Sequence, residues 1–109
     1  MAAIPRTAIL GALAEQDFAG VITWTAENFG ARQARAYARL FIETIDKIAR
    51  DPLASPSRAR DEEIGAGFRT LHVARPGRHL VLYRLRGADE VLIVRILHDS
   101  MELARWAGE

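Results

Sequence analysis

The sequence predicts an α+β fold: an N-terminal helical hairpin packed on a small antiparallel β-sheet, with a short C-terminal helix, in one domain over residues 1–109. Three observations predict it. Apolar residues recur with a helical period through residues 12–50, interrupted by a glycine at position 30. From Gly67 onward the period becomes that of strands. Tight-turn tetrapeptides separate the strand-like runs, which implies antiparallel neighbours. Helices first and strands afterwards is the arrangement of the α+β class. A chain of 109 residues hides about two-thirds of its unfolded surface on folding, enough for one modest core.

Residues 4–10 form a candidate strand at the sheet margin. The first helix covers residues 12–28, where Ala14, Phe18, Val21, Ile22 and Thr25 make one stripe and Trp24 widens it. Gly20 lies inside this helix at a cost of up to about 1 kcal/mol relative to Ala, which points to close packing there. Phe29 and Gly30 end the helix, the glycine as a left-handed cap. The second helix covers residues 31–50, with Ala34, Tyr37, Ala38, Phe41, Ile45 and Ile48 on one face and charged residues on the other. Pro52 stops it. So short a link sets the two helices antiparallel.

Residues 51–66 carry two prolines and dense mixed charge, the composition of a surface connection. Strands follow at residues 68–73, 78–85 and 91–97. Arg75-Pro76-Gly77-Arg78 suits a type II turn, and Gly87-Ala88-Asp89-Glu90 is a second tight connection. Unbroken alternation sets His79, Val81, Tyr83 and Leu85 on one face of their strand, with Tyr83 in the core. On the last strand it sets Val91, Ile93, Arg95 and Leu97 opposite Leu92, Val94, Ile96 and His98. Residues 99–107 form the terminal helix, with Asp99 or Ser100 as its N-cap.

Charge is distributed unevenly. The basic residues are fourteen Arg and one Lys, with a net charge of only +1. Residues 1–67 carry net −1, residues 68–98 net +4 and residues 99–109 net −2. All three histidines, His72, His79 and His98, lie in the basic segment. Coding bias accounts for abundant Arg beside nineteen Ala, but not for this clustering. A basic strand region between a near-neutral half and an acidic tail favours an acidic protein partner over bare nucleic acid.

Several chemistries are excluded or unsupported. Without cysteine there is no disulfide, thiolate nucleophile or cysteine zinc site. No strained serine turn and no phosphate-cradling glycine loop occurs. The histidines lack metal-ligand spacing, so no metal or other cofactor is expected. No apolar run approaches the roughly 18 residues of a membrane span, so no membrane association is expected. Arg95 stands among apolar residues within a strand, so it reaches either a helix carboxylate or a functional partner.

Four segments together resemble the ParE toxins of the RelE/ParE superfamily. They are Ala14-Glu15-x-Asp17-Phe18-x-x-Val21-x-x-Trp24-Thr25 with Phe29-Gly30, and Gln33-Ala34-x-x-Tyr37 with Ile48-Ala49-x-x-Pro52. The others are residues 78–84 and Val94-Arg95-Ile96-Leu97-His98-Asp99-x-Met101-Glu102. The resemblance covers almost the whole chain and departs from the family where Ala54-Ser55 replaces a common loop glycine. It implies a cytoplasmic toxin of a type II toxin–antitoxin system that inhibits DNA gyrase without catalysis. It also implies a cognate ParD-like ribbon-helix-helix antitoxin, held in a hetero-oligomer through a C-terminal segment that wraps the toxin. RelE-type relatives are instead ribosome-dependent mRNA endoribonucleases with a C-terminal Tyr or His. Here no Tyr follows the last strand and the tail is acidic.

Three readings follow. A ParE-like binding toxin needs an apolar groove across helix and sheet, with Arg69, Arg78, His79, Arg84, Arg95, His98 and Trp106 as antitoxin- or target-binding candidates. A RelE-like endoribonuclease would grip phosphate through Arg69, Arg78 and Arg95 and move protons through His98 or His79. A homologue of low toxicity would act only as its antitoxin's partner.

Overall fold

A single residue separates the two helices. Gly30 sits at φ +92°, a conformation that favours glycine because it has no Cβ to clash. Its N–H donates to Ala26 O at 2.9 Å, and its carbonyl accepts from Ala34 N–H at 3.1 Å. One glycine thus closes the first helix and opens the second. The computed structural model describes residues 5–54, 56–73 and 77–100. Its elements are β1 (Thr7–Leu10), α1 (Ala12–Phe29), α2 (Ala31–Arg50), β2 (Arg58–Ala59), β3 (Phe68–His72), β4 (His79–Arg86) and β5 (Glu90–His98).

The helical periodicity becomes burial on α2, where Ala34, Phe41, Thr44 and Ile48 are buried. On α1 only Ala14 and Thr25 are fully buried, while Phe18 and Val21 are half-buried against the core. Both threonines satisfy their hydroxyls within the helix, Thr25 on Val21 O and Thr44 on Leu40 O, each at 2.7 Å. Gly20 is not a packing contact: a Cβ there would meet nothing within 4 Å. It is exposed and lines the groove described below.

The sheet order is β1-β5-β4-β3-β2. The expected meander holds, with β2–β3, β3–β4 and β4–β5 all antiparallel. The sheet as a whole is mixed rather than purely antiparallel, because β1 pairs parallel with β5, from Thr7 opposite Glu90 to Leu10 opposite Ile93. The direction follows from the chain path. Gly11 N–H continues the ladder onto Ile93 O at 2.9 Å, and α1 then runs on along β5 as far as Ile96 N–H, which donates to Asp17. A parallel pair needs a long crossover, and the helical hairpin plus three strands provide it.

The core lies between the hairpin and one sheet face: Ala14, Phe41 and Ile48 meet Leu71, Val73, Val81, Tyr83, Val91, Ile93 and Ile96. Phe41 anchors it, with Phe18 edge-on at 5.5 Å and Tyr37 at 4.8 Å between ring centroids. The simple alternation expected for β5 fails in its second half. Leu82 faces Arg95 but Tyr83 faces Ile93, a register shift that leaves Val94 as an extra residue. This bulge reverses the parity: Val91 and Ile93 share the helix side with Ile96 and His98, not with Leu97.

The segment 51–66 contributes the two-residue β2 and a hydrogen-bonded chain into the core. Arg69 Nε donates to Ser57 Oγ at 2.9 Å, Ser57 contacts the Tyr83 hydroxyl, and Tyr83 donates to Pro52 O at 2.5 Å. The terminal helix expected after Ser100, the Arg75-Pro76 half of the turn, Ser55 and Ile4 lie outside the described residues.

Candidate functional site

Residues of α1 from Gln16 onward, the N-terminal half of α2 and the sheet end at His79 and His98 enclose a groove of about 810 Å³. Its walls are Val21, Trp24 and Phe29 from α1, Ala36, Tyr37 and Leu40 from α2, and Ile96 from β5. Trp24 and Phe29 meet edge-to-face at 5.7 Å yet remain 57% and 65% exposed. Two large aromatics paired on one wall leave an apolar patch open to solvent.

The sheet end supplies a polar rim in which side chains distant in sequence converge. Arg78 N–H donates to the Tyr37 hydroxyl at 3.3 Å, and that hydroxyl lies 2.6 Å from His79 Nδ1. The Tyr37 oxygen keeps a proton and a second lone pair beside the Arg78 bond, so it can either donate to Nδ1 or accept from it. The His79 and His98 rings stand edge-on at 5.4 Å, directly opposed across β4 and β5. Burial lowers the His79 pKa, and His98 and His72 lower it further. Burial also raises the Tyr37 pKa.

Asp99 gathers Arg78, His72 and His98. Arg78 Nε donates to both of its oxygens at 3.0 Å, His72 Nε2 lies at 3.1 Å and His98 Nδ1 at 3.7 Å. Hydrogen bonds from Arg78 and then His72 hold the Asp99 carboxyl at about 2, well below its usual range.

The candidate residues therefore separate into groups. Arg78, His79 and His98 come together at the groove. Arg95 does not line the groove; its Nε and Nη2 donate to the two oxygens of Asp17, which does, at 2.7 and 3.0 Å. A helix carboxylate is one of the two partners that its position in an apolar strand left open. Arg69 is turned to Ser57, and Arg84 is exposed with its guanidinium 5.6 Å from the Phe68 ring centroid. Arg69 and Arg84 border a separate, smaller depression with Leu53 and Leu85. Trp106 lies outside the described residues.

Sequence reasoning missed Tyr37, Asp17 and Asp99 as members of the site. Tyr37 read as part of a core stripe and Asp99 as a helix cap. The available signal was their place in the family-like segments, since the contacts span 21 to 78 residues of chain. Among the described residues no group of three or more His, Cys, Asp or Glu is arranged to hold a metal ion. No helix among them is long and apolar enough to cross a membrane.

Residues 9–103 match the family model described as the ParE toxin of the type II toxin–antitoxin system parDE. Toxin ParE1 of Caulobacter vibrioides is 36% identical over 96 residues, spanning 87% of this chain and 91% of that protein. Among solved structures, the chromosomal ParDE toxin–antitoxin system from P. aeruginosa superposes with a TM-score of 0.70 at 20% identity, covering 85% of this chain and 95% of the other. The toxin–antitoxin complex RelBE2 from Mycobacterium tuberculosis gives 0.55 at 25% identity, covering 87% and 99%.

Proposed function

The chain belongs to the ParE toxin family of type II toxin–antitoxin systems, and from that premise we propose that it arrests growth by binding DNA gyrase in the cytoplasm, without chemistry of its own. A cognate ribbon-helix-helix, ParD-like antitoxin silences it in a hetero-oligomer by laying an amphipathic segment into the groove. The observation that carries this reading is the groove itself: an apolar trough with exposed Trp24 and Phe29 and a basic rim at Arg78. Its shape suits an amphipathic helix, and its rim suits acidic residues on that helix.

The ribonuclease alternative needs Arg69, Arg78, Arg95 and His98 around one phosphate. Arg95 is engaged by Asp17 and Arg69 by Ser57, at different places on the fold. Their dispersal speaks for binding over catalysis. The gyrase assignment itself rests on the family resemblance carried by the four segments together.

The test is direct. The purified protein is added to gyrase with supercoiled plasmid, and separately to ribosomes programmed with mRNA. Accumulated gyrase-dependent DNA breaks with intact mRNA support the proposal. Codon-positioned mRNA cuts with unaffected gyrase overturn it in favour of the ribonuclease, and expression without any growth defect points to a partner-only homologue.

A further inference from the structure

The two helical walls of the groove carry opposite charge. Helix α1 contains Glu15, Asp17 and Glu27 and no basic residue. Helix α2 from Ala31 to Leu40 contains Arg32, Arg35 and Arg39 and no acidic one. Asp17 is taken up by Arg95. Glu27 stands three residues after Trp24 and seven after Gly20, which sets it on the outer shoulder of the α1 wall. Arg32 and Arg39 stand four before and three after Ala36, on the outer shoulder of the α2 wall. All three are exposed, and none has an ion-pair partner among the described residues.

We infer that the free chain closes this groove with a second copy of itself, in a two-fold dimer. A two-fold axis sets one patch against its own copy, so each side of the patch meets the opposite side. A groove with like charges on both shoulders would repel its copy. Here the α1 shoulder of one protomer meets the α2 shoulder of its partner, and Glu27 faces the Arg32 and Arg39 shoulder twice over. A partner carrying one sign of charge along both edges gains on one shoulder and loses on the other.

Between the shoulders the surface is apolar. Trp24 and Phe29 are each more than half exposed, and Val21, Tyr37 and Leu40 are half-buried beside them. The aromatic pair is a projection and the trough next to it a recess, so each copy offers both to the other. Association of this kind takes the two aromatics out of water, which is the apolar gain, while the opposed shoulders select the partner. Such a dimer hides Trp24 and Phe29 from every other occupant. On the reading of the groove as the antitoxin's seat, capture then requires the dimer to part. The dimer itself does not rest on that reading, and its test uses this chain alone.

Sedimentation equilibrium of the purified full chain, from about 1 to about 100 μM at physiological salt, should show a mass rising from one chain to two and no further. Trp24→Gln should raise the dissociation constant by about tenfold or more. Glu27→Arg should raise it by about fivefold, and so should Arg32→Glu combined with Arg39→Glu, because each sets like charges against one another. All three charge changes in one protein exchange the shoulders and should bring the constant back to within about twofold of wild type. Far-UV circular dichroism checks that each variant is folded. The three charged positions are exposed, so their variants keep the test decisive if Trp24→Gln fails to fold. A one-chain mass at every concentration, a mass that climbs past two, a dimer untouched by Trp24→Gln, or charge reversals that add instead of cancelling would each overturn the proposal.

Discussion

Arg95 of β5 grips Asp17 of α1 through two hydrogen bonds, Nε to Oδ2 at 2.7 Å and Nη2 to Oδ1 at 3.0 Å. Asp17 Oδ2 also accepts Ile96 N–H at 2.9 Å, so one carboxylate serves the side chain and the backbone beyond the β5 bulge. The two side chains are only 12% and 16% exposed. Removing Asp17 takes from Arg95 its bidentate carboxylate in a water-poor site. Asp17→Ala should cost about 3 kcal/mol of stability, read from urea denaturation at neutral pH. The double change Asp17→Leu with Arg95→Met should recover much of that loss, because a well-packed apolar pair does not carry the desolvation cost.

Tyr83 tests the loop rather than the helices. It is fully buried, and its hydroxyl ties Pro52 O and Ser57 to the sheet. Tyr83→Phe preserves the ring's packing and leaves those two groups without this partner, at a cost of about 2 kcal/mol. Thermal unfolding should fall by about 10 °C with unchanged circular dichroism.

The helices, the glycine between them and the β3–β4–β5 meander were legible because each has a local cause. A stripe at helical spacing, one residue able to take positive φ and a turn tetrapeptide are all contained within a few positions. The direction of β1 was not legible: the run Thr7–Leu10 states that a strand exists, while its pairing depends on where α1 goes next. Nor was the bulge, since Val94 is as apolar as its neighbours and an extra residue leaves no mark in composition. That bulge decides the site, because it moves His98 onto the helix side opposite His79. The basic, histidine-rich character of residues 68–98 was visible in the sequence. What gathers part of it, Asp99, became visible only once β3, β4 and β5 lay side by side.

Asp99 makes acid sensitivity specific. Its carboxyl is held at about 2 in the folded protein against 3.8 ordinarily. The unfolded chain therefore binds the proton first, so stability from this group is present above pH 3.8 and is lost as pH falls toward 2. Urea midpoints measured between about pH 5 and about pH 2 should decline less steeply for Asp99→Asn than for the wild-type chain. Equal slopes would mean that the cluster around Asp99 does not couple to folding.

Gly20 separates the stability of the helix from the use of its exposed face. It sits mid-helix in α1 with open space around a built Cβ, and it lines the groove beside Val21 and Trp24. A glycine there costs helix stability and has no packing contact to explain it. Gly20→Ala should therefore stabilise the chain by about 0.5–1 kcal/mol, seen as a higher urea midpoint with unchanged slope. Gly20→Trp has the same room at its Cβ and should fold, but it fills the trough. Antitoxin capture, measured by calorimetry with the ParD-like antitoxin proposed above, should weaken by about tenfold or more in Gly20→Trp and change little in Gly20→Ala. Full-strength capture by a folded Gly20→Trp protein would place the antitoxin on another surface, and the groove would then need a different occupant.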